Sequence, residues 1–118
     1  MTIFLEDSFD AAHWLPNVPD GHKCKRLHGH TYRVRLEVTG EVGAESGWVM
    51  DYADLKSQWD ALKKSLDHRS LNEVKFLENP TCERIAEWLA CHLGLPAQYT
   101  LSRIELRETE HCGVVWQA

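Results

Sequence analysis

The segment from His28 to Thr39 alternates between two classes of side chain without a break, and this period-2 pattern predicts a β-strand. Charged and polar residues occupy one face and mainly apolar residues the other, which is typical of a strand buried on one side. The inner face begins with two imidazoles and continues with apolar residues: His28, His30, Tyr32, Val34, Leu36 and Val38. Any fold for this chain must therefore cover that face and accommodate two histidines at its end.

Three more segments are predicted as strands. Residues 3–13 alternate in the same way, with one inward interruption at Asp7. Residues 100–108 alternate again, and a short last strand is expected around residues 112–117. The predicted strands therefore cluster at the two ends of the sequence.

Two helices are predicted between those strands. Asp51 is a candidate N-cap for a helix that runs to about Leu66, and Thr81 is a candidate N-cap for a helix over residues 82–93. The predicted order is β-β-α-α-β-β within one domain over residues 1–118. That order favours an α+β fold in which an antiparallel four-stranded sheet carries two helices on one face.

Composition excludes several classes of protein. The chain has a formal net charge of −5 and a mean hydropathy of −0.42, with neither a long apolar run nor a basic N-terminal segment. We therefore expect a cytoplasmic protein with no membrane or nucleic-acid partner. The stretch between Asp20 and Glu37 holds five cations and no acid. This stretch is either a strand and loop whose charges are simply solvated, or a site that attracts a small anionic ligand such as a phosphate.

Three histidines are predicted to converge on a metal ion. His28 and His30 lie two residues apart on one strand, so their side chains point to the same side. His13 ends the preceding strand in phase with its apolar face, and it reaches the same place if the two strands pair. Such a set describes an open catalytic zinc site, although iron or copper would accept the same ligands. The alternative for His28 and His30 is two polar residues at the start of a strand.

Cys24 and the adjacent Asp67 and His68 are candidates for proton transfer. Cys24 lies among three basic residues, where positive charge favours a reactive thiolate, although a structural role is the alternative. Asp67 and His68 supply a carboxylate and an imidazole. Since neighbours in sequence rarely bond each other, we expect this pair to converge on a shared partner such as Cys24. The alternative is a capped helix end with a dipole-stabilised histidine.

Glu108 shares its position in the strand alternation with Ile104 and Leu106, so its carboxylate is predicted to point inward. An inward carboxylate is costly unless it is paired or binds a ligand, and a ring edge with two N–H donors would satisfy it. Fraying near the turn is the alternative. Cys82 and Cys91 fit the pattern of small buried hydrophobic residues.

Six motifs together resemble the 6-pyruvoyl-tetrahydropterin synthase family over nearly the whole chain. They are FDAAHWLP, HKCKRLHGHTYRV, GWVMDYADLK, LDHRSLN, NPTCERIAEWL and ETE. Within the family, the C-x-x-x-H-G-H spacing from Cys24 to His30 is similar to the branch that makes 6-carboxy-5,6,7,8-tetrahydropterin for queuosine and other 7-deazapurines. Cys82 departs from the serine or threonine that is more usual at its position.

The resemblance implies the tunnelling fold (T-fold), assembled as a homo-oligomer, typically a hexamer, with active sites between subunits. It implies Zn²⁺ as the cofactor, a pterin triphosphate as the substrate, and an Asp–His pair supplied by a neighbouring subunit. The implied site residues are the zinc ligands His13, His28 and His30, the proton-transfer residues Cys24, Asp67 and His68, and the pterin contacts Glu108, Thr81 and Glu83. Thr81 and Glu83 also fit a helix cap and a first-turn carboxylate, and both roles can coexist.

The function implied by the resemblance is that of a zinc-dependent lyase. It would convert 7,8-dihydroneopterin triphosphate into 6-carboxy-5,6,7,8-tetrahydropterin, acetaldehyde and triphosphate. A 6-pyruvoyl-tetrahydropterin synthase, which eliminates triphosphate and keeps the three-carbon side chain, is one alternative. A non-catalytic, zinc-stabilised binding module is another. We further expect Lys23, Lys25 and Arg26 to attract the triphosphate.

Overall fold

Five strands and two helices form the fold, as a computed structural model of residues 1–118 shows. The strands are β1 (Thr2–His13), β2 (His28–Thr39), β3 (Arg69–Ser70), β4 (Thr100–Arg107) and β5 (Gly113–Gln117). The helices are α1 (Tyr52–Lys63) and α2 (Cys82–His92). Two single turns of 3-10 helix, Lys23–Lys25 and Leu71–Glu73, lie in the connections.

All five strands belong to one sheet with the order β3-β1-β2-β4-β5. The pairs β1–β2, β2–β4 and β4–β5 are antiparallel, whereas β3 pairs in parallel with Ala11 and Ala12 of β1. The α+β class is therefore confirmed, but the prediction of four strands is wrong by one. β3 is two residues long, which is too short for alternation to reveal it.

The two helices pack on the inner face of the sheet and enclose a core of 17 buried residues. Phe9 of β1 lies opposite Tyr32 of β2, and the two rings stack with their centroids 5.0 Å apart. The ring of Trp59 from α1 lies 6.1 Å from the Phe9 ring, and all three side chains are buried. This packing holds β1 and β2 rigidly next to the histidines at their ends.

Asp7 is tolerated on the inner face of β1 because α1 supplies partners for its carboxylate. The Trp59 indole Nε1 donates to Asp7 Oδ2 at 2.7 Å, and Lys63 Nζ donates to the same oxygen at 3.1 Å. Burial alone would raise the pKa of Asp7, but these hydrogen bonds, with one from the Ser8 backbone, hold it below its usual value. Asp7, which interrupts the apolar alternation of β1, therefore joins the sheet to α1.

Both predicted helix caps are present, but the first helix is shorter than predicted. Asp51 and Thr81 each accept a hydrogen bond from a backbone N–H in the first turn of their helices. α1 ends at Lys63 rather than near Leu66. Leu66 lies in the turn beyond the helix and is fully buried all the same, so its apolar spacing reflects burial and not helical structure.

Cys82 is buried, as predicted, but Cys91 is exposed, and that prediction is wrong. Cys91 lies two residues after Leu89, which places it about 200° around the helix from that buried residue. The side of α2 that carries Cys91 therefore faces solvent. Neither helix has the length and apolar character needed to cross a membrane.

Candidate active site

Three histidines meet at the end of the β1–β2 pair, on the inner face of the sheet. The antiparallel register sets His13 opposite His28 and Ala11 opposite His30. One ring nitrogen of each histidine lies within 4.8 Å of the other two, and the ring centroids are 4.6 to 5.1 Å apart. The convergence predicted from the phases of the two strands is confirmed.

Backbone carbonyls orient two of the three imidazoles. His13 Nδ1 lies 2.8 Å from the Pro80 carbonyl oxygen, and His28 Nδ1 lies 2.7 Å from the Arg26 carbonyl oxygen. A carbonyl oxygen only accepts, so each Nδ1 carries a proton and donates, and in the neutral ring Nε2 keeps its lone pair. Such a second hydrogen bond is typical of histidines that bind metal ions.

His30 supplies the third lone pair. Its Nε2 is buried and has no hydrogen-bond partner, an arrangement that costs free energy unless a ligand satisfies it. Burial lowers the pKa of His30 against the attraction of Glu108, and repulsion from His13 and His28 lowers it further. The ring therefore stays neutral, which is the form that binds a metal ion. Three converging imidazoles of this kind fit a divalent first-row metal, and zinc is the usual choice for such a set.

Glu108 points inward against this cluster, as its place in the alternation predicts. Its Oε1 lies 3.3 Å from His13 Nε2 and 3.2 Å from His30 Nε2. The adjacent imidazole of His13 lowers the pKa of Glu108, and those of His30 and His28 lower it further against the effect of partial burial. The carboxylate is therefore ionised and can accept N–H donors from a ligand.

Tyr32 and Cys82 lie beside the cluster as neutral groups. The Tyr32 hydroxyl is buried and lies 3.2 Å from His13 Nδ1, and the Cys82 thiol donates to the Leu106 carbonyl at 3.5 Å. Burial raises the pKa of Tyr32, and burial together with nearby carboxylates raises the pKa of Cys82 to about 12. Neither group ionises near neutral pH, so Glu108 supplies the negative charge at the cluster.

Cys24 lies in the loop that leads into β2, on the 3-10 turn Lys23–Lys25. His22 Nδ1 accepts from the Cys24 N–H at 3.0 Å, and the Cys24 carbonyl accepts from the Leu15 N–H at 2.8 Å. The side chain is partly buried, but its sulfur does not belong to the group of close ligand atoms that the three histidines form. The loop backbone is therefore fixed, while the thiol stays outside the histidine cluster.

Asp67 and His68 contact each other directly, and the expectation that neighbours in sequence would not is wrong here. His68 Nδ1 lies 3.0 Å from Asp67 Oδ2, and the backbone at His68 is left-handed, with a φ of 58°. Asp67 Oδ1 accepts from the Asp10 N–H at 2.9 Å, and this bond and the His68 contact lower the pKa of Asp67 despite some desolvation. Asp67 therefore holds His68 by Nδ1 and leaves Nε2 free for proton exchange.

A single chain does not bring this pair to Cys24. The His68 side chain is 77% exposed, and His68 lines an open recess of about 600 Å³ together with Gly29, His30 and Thr31. The side chain of Thr31 alternates with those of the histidines on β2, so it faces the opposite side of the sheet. No hydrogen bond or ion pair joins Asp67 or His68 to Cys24. Within one chain, therefore, the predicted convergence of this pair on Cys24 is not seen.

Thr81 is the N-cap of α2 and Glu83 lies in the first turn, close in sequence to the Pro80 carbonyl that orients His13. Thr81 Oγ1 accepts from the Arg84 N–H at 3.2 Å and so caps the helix. Glu83 is an exposed first-turn carboxylate. Both residues occupy the helix-terminus positions expected of them, and their contacts with a pterin stay predictions.

The structure adds three groups to the site that the motifs did not indicate. They are the backbone carbonyls of Pro80 and Arg26 and the hydroxyl of Tyr32. Backbone carbonyls carry no residue-type signal, so no motif could reveal them. Tyr32 shares the phase of His28 and His30 along β2, and that phase was the available signal for its place beside the cluster.

The chain matches known proteins over nearly its whole length. The family model described as 6-pyruvoyl tetrahydropterin synthase matches residues 2–118. A 6-carboxy-5,6,7,8-tetrahydropterin synthase from Haemophilus influenzae is 49% identical over 91% of this chain and 92% of its own length. A protein of the same name from Synechocystis sp. is 43% identical over 87% of this chain and 84% of its own length. A dihydroneopterin monophosphate aldolase from Pyrococcus furiosus is 40% identical over 95% of this chain and 93% of its own length.

A solved structure shares the fold. The 6-pyruvoyl tetrahydropterin synthase of Caenorhabditis elegans matches this chain with a TM-score of 0.88 at 28% sequence identity. The match covers 100% of this chain and 95% of that one. The tunnelling fold expected from the sequence is therefore confirmed.

Proposed function

The chain belongs to the 6-pyruvoyl tetrahydropterin synthase family, and from this premise we propose that it is a zinc-dependent 6-carboxy-5,6,7,8-tetrahydropterin synthase. The proposed reaction converts 7,8-dihydroneopterin triphosphate and water into 6-carboxytetrahydropterin, acetaldehyde and triphosphate, for the biosynthesis of queuosine and other 7-deazapurines. The observation that carries the proposal is the Glu108 carboxylate set against three imidazoles that suit a metal ion. A ring held by Glu108 would lie beside that metal ion.

His13, His28 and His30 would hold the zinc ion. When bound, zinc supplies Lewis-acid polarisation of oxygen atoms on the substrate side chain. The task of the protein is to keep the imidazoles oriented before the ion binds. The carbonyls of Pro80 and Arg26 do this for two of them through Nδ1, which directs each Nε2 toward the shared centre.

Glu108 would anchor the pterin ring. The amino group and ring N–H of a pterin form an edge with two donors, and an ionised carboxylate accepts both at once. The lowered pKa of Glu108 keeps it ionised across the neutral range. Thr81 and Glu83, at the N-terminus of α2, are the proposed additional contacts with the ring.

Cys24 and the Asp67–His68 pair would move the protons. The Cys24 thiol, in its basic loop, exchanges protons with the substrate side chain, and His68 exchanges protons through the Nε2 that Asp67 leaves free. Because one chain forms no contact between this pair and Cys24, the pair that serves Cys24 comes from a neighbouring chain. The active site is therefore shared between subunits.

We accordingly propose a homo-oligomer, a hexamer by resemblance to the family. β1 pairs with β3 only at Ala11 and Ala12, and β5 forms the opposite edge of the sheet, so both edges can accept a strand from another chain. Exposed apolar side chains offer further surface for association to bury: Met1, Phe4, Trp48, Tyr52 and Val115.

Lys23 and Arg26 are the best-placed cations for the triphosphate. Both are exposed and form no ion pair, whereas Lys25 is already bound to Asp20 at 2.6 Å. Arg26 also adjoins the cluster, because its carbonyl binds His28. We propose no nucleic-acid partner for this acidic chain, and we place it in the cytoplasm, a reducing compartment that suits its four free cysteines.

Two other reactions would use the same residues. A 6-pyruvoyl-tetrahydropterin synthase would retain the three-carbon side chain. A dihydroneopterin monophosphate aldolase is favoured by the similarity to the Pyrococcus furiosus protein, and it would cleave the side chain while leaving phosphate on the released aldehyde. A non-catalytic, zinc-stabilised binding module is the candidate from another class.

Product analysis distinguishes these candidates. Zinc-loaded protein is incubated with 7,8-dihydroneopterin triphosphate and, separately, with the monophosphate, and the products are identified by mass. Acetaldehyde with a carboxypterin and free triphosphate supports the proposal. A pyruvoyl pterin indicates a 6-pyruvoyl-tetrahydropterin synthase, and a phosphorylated two-carbon aldehyde indicates the aldolase. If neither substrate changes, the non-catalytic binding module is the remaining candidate.

A further inference from the structure

The turn that carries Glu108 is held by hydrogen bonds and not by packing. β4 ends at Arg107 and β5 begins at Gly113, and every residue between them except Glu108 is exposed. Exposed side chains make few apolar contacts that could fix a backbone. The conformation of residues 108–112 therefore depends on polar contacts within the turn.

Thr109 takes part in most of those contacts. Its Oγ1 accepts from the His111 N–H at 3.2 Å and from the Cys112 N–H at 3.0 Å. The Cys112 carbonyl in turn accepts from the N–H groups of Glu108 and Thr109, at 3.0 and 3.2 Å. Cys112 is thus bound through both of its backbone groups to the residues that begin the turn. Its carbonyl accepts from Glu108 and Thr109, and its N–H donates to the Thr109 hydroxyl.

Strand pairing holds the end of the turn in place. Gly113 pairs with Arg107 across β4 and β5, and a Cβ atom on Gly113 would lie 2.3 Å from the Leu106 carbonyl oxygen. The two strands are therefore in close contact there, and residues 108–112 are the part of the hairpin that strand pairing does not hold. Loss of the Thr109 hydroxyl as an acceptor would therefore change the position of Glu108.

We propose that the Thr109 hydroxyl is a positioning group, which fixes the turn so that the Glu108 carboxylate lies against the histidine cluster. This inference rests on the proposed function, because it takes Glu108 to be the pterin contact. Two charge-assisted hydrogen bonds to one ring edge require a carboxylate that is already oriented when the ligand arrives. Thr109 acts through Glu108 and touches neither the ligand nor the metal ion.

The test measures equilibrium binding of 7,8-dihydroneopterin, a pterin without phosphates, to zinc-loaded protein by fluorescence. Thr109→Val keeps the size and branching of the side chain but removes the acceptor, whereas Thr109→Ser keeps the acceptor. Loss of one or two net hydrogen bonds should weaken binding about 10-fold in Thr109→Val. Thr109→Ser should bind within about 2-fold of the wild type. Thermal unfolding checks that both variants fold.

The double variant separates positioning from a general structural effect. Glu108→Gln removes the carboxylate through which Thr109 acts, so adding Thr109→Val to it should weaken binding by less than about 2-fold. An equal loss from Thr109→Val in both backgrounds overturns the inference. The inference is also overturned if Thr109→Ser loses as much pterin affinity as Thr109→Val, or if Thr109→Val binds the pterin as tightly as the wild type.

Failure of the proposed function would give a different pattern. If the wild type and Glu108→Gln bind the pterin equally, or neither binds it, Glu108 is not the pterin contact and the inference falls with the proposed function. If Glu108→Gln weakens binding and Thr109→Val does not, the proposed function stands and the role of Thr109 is overturned.

Discussion

Replacing Asp7 tests how the strand that carries His13 is attached to α1. The inward carboxylate of Asp7 accepts hydrogen bonds from Trp59, which is fully buried, and from Lys63. Asp7→Ala removes the acceptor for both donors and leaves the Trp59 Nε1 buried without a partner. Asp7→Asn keeps an oxygen that can accept from Trp59 but removes the charge that attracts Lys63.

The two variants should differ in their free energy of unfolding. A buried donor without a partner costs about 1–3 kcal/mol, and a hydrogen bond to a charged group contributes about 1.5–3 kcal/mol. The Asp7 side chain is 24% exposed, so solvent screens the Lys63 contact, whose share is about 0.5 kcal/mol. We expect Asp7→Ala to lose about 2–3 kcal/mol and Asp7→Asn about 1 kcal/mol.

The contribution of Asp7 should also depend on pH. Its pKa is lower in the folded protein than its usual value, so its ionised form stabilises the fold above the unfolded pKa of about 3.9. That contribution is lost as the pH falls through the folded pKa. The difference in stability between the wild type and Asp7→Asn should therefore be constant near neutral pH and shrink below about pH 4.

Urea unfolding followed by circular dichroism measures both effects. Glu45→Gln, a change at an exposed carboxylate without an ion pair, is the control and should stay within about 0.5 kcal/mol of the wild type. Equal stability of Asp7→Ala and this control would show that Asp7 does not attach β1 to α1. A larger loss in Asp7→Asn than in Asp7→Ala would contradict this attachment too, because the asparagine retains an acceptor for Trp59.

Three further predictions concern the candidate site. His28→Ala should lose zinc, as measured by metal analysis after dialysis. It should keep its circular dichroism spectrum, because His28 lies outside the buried core. Unfolding of this variant would favour the zinc-stabilised binding module. Cys24→Ala should fold and bind zinc but turn over 7,8-dihydroneopterin triphosphate at least about 100-fold more slowly, and near-normal turnover would remove Cys24 from the mechanism. Cys24→Ala and His68→Ala proteins, refolded together as mixed oligomers, should regain activity that neither has alone, whereas no gain would argue against sites shared between chains.

Strand periodicity made the central part of the site predictable. Side chains two residues apart share a face, so the phases of His28 and His30, with that of His13, set three imidazoles on one side once β1 and β2 pair. The same rule predicted the inward carboxylate of Glu108. These features follow from the geometry of an extended backbone, which a sequence pattern reports directly.

Contacts that depend on backbone atoms or on rare conformations could not be predicted in this way. Pro80 and Arg26 orient imidazoles through carbonyl oxygens, which every residue possesses. The direct contact between Asp67 and His68 accompanies a left-handed backbone that histidine adopts only occasionally. The short strand β3 forms because tertiary packing brings its two residues beside β1, and no local pattern marks it.

The proposed chemistry depends on a metal ion at the three-histidine centre, so acetaldehyde release as a function of zinc content tests it most directly. Metal-free protein is titrated with zinc and assayed with 7,8-dihydroneopterin triphosphate. Release should rise from near zero in proportion to added zinc and level off at one ion per chain, and His28→Ala should show no such rise. Release that is the same without zinc, or a zinc-saturated protein that releases no acetaldehyde, would contradict the account.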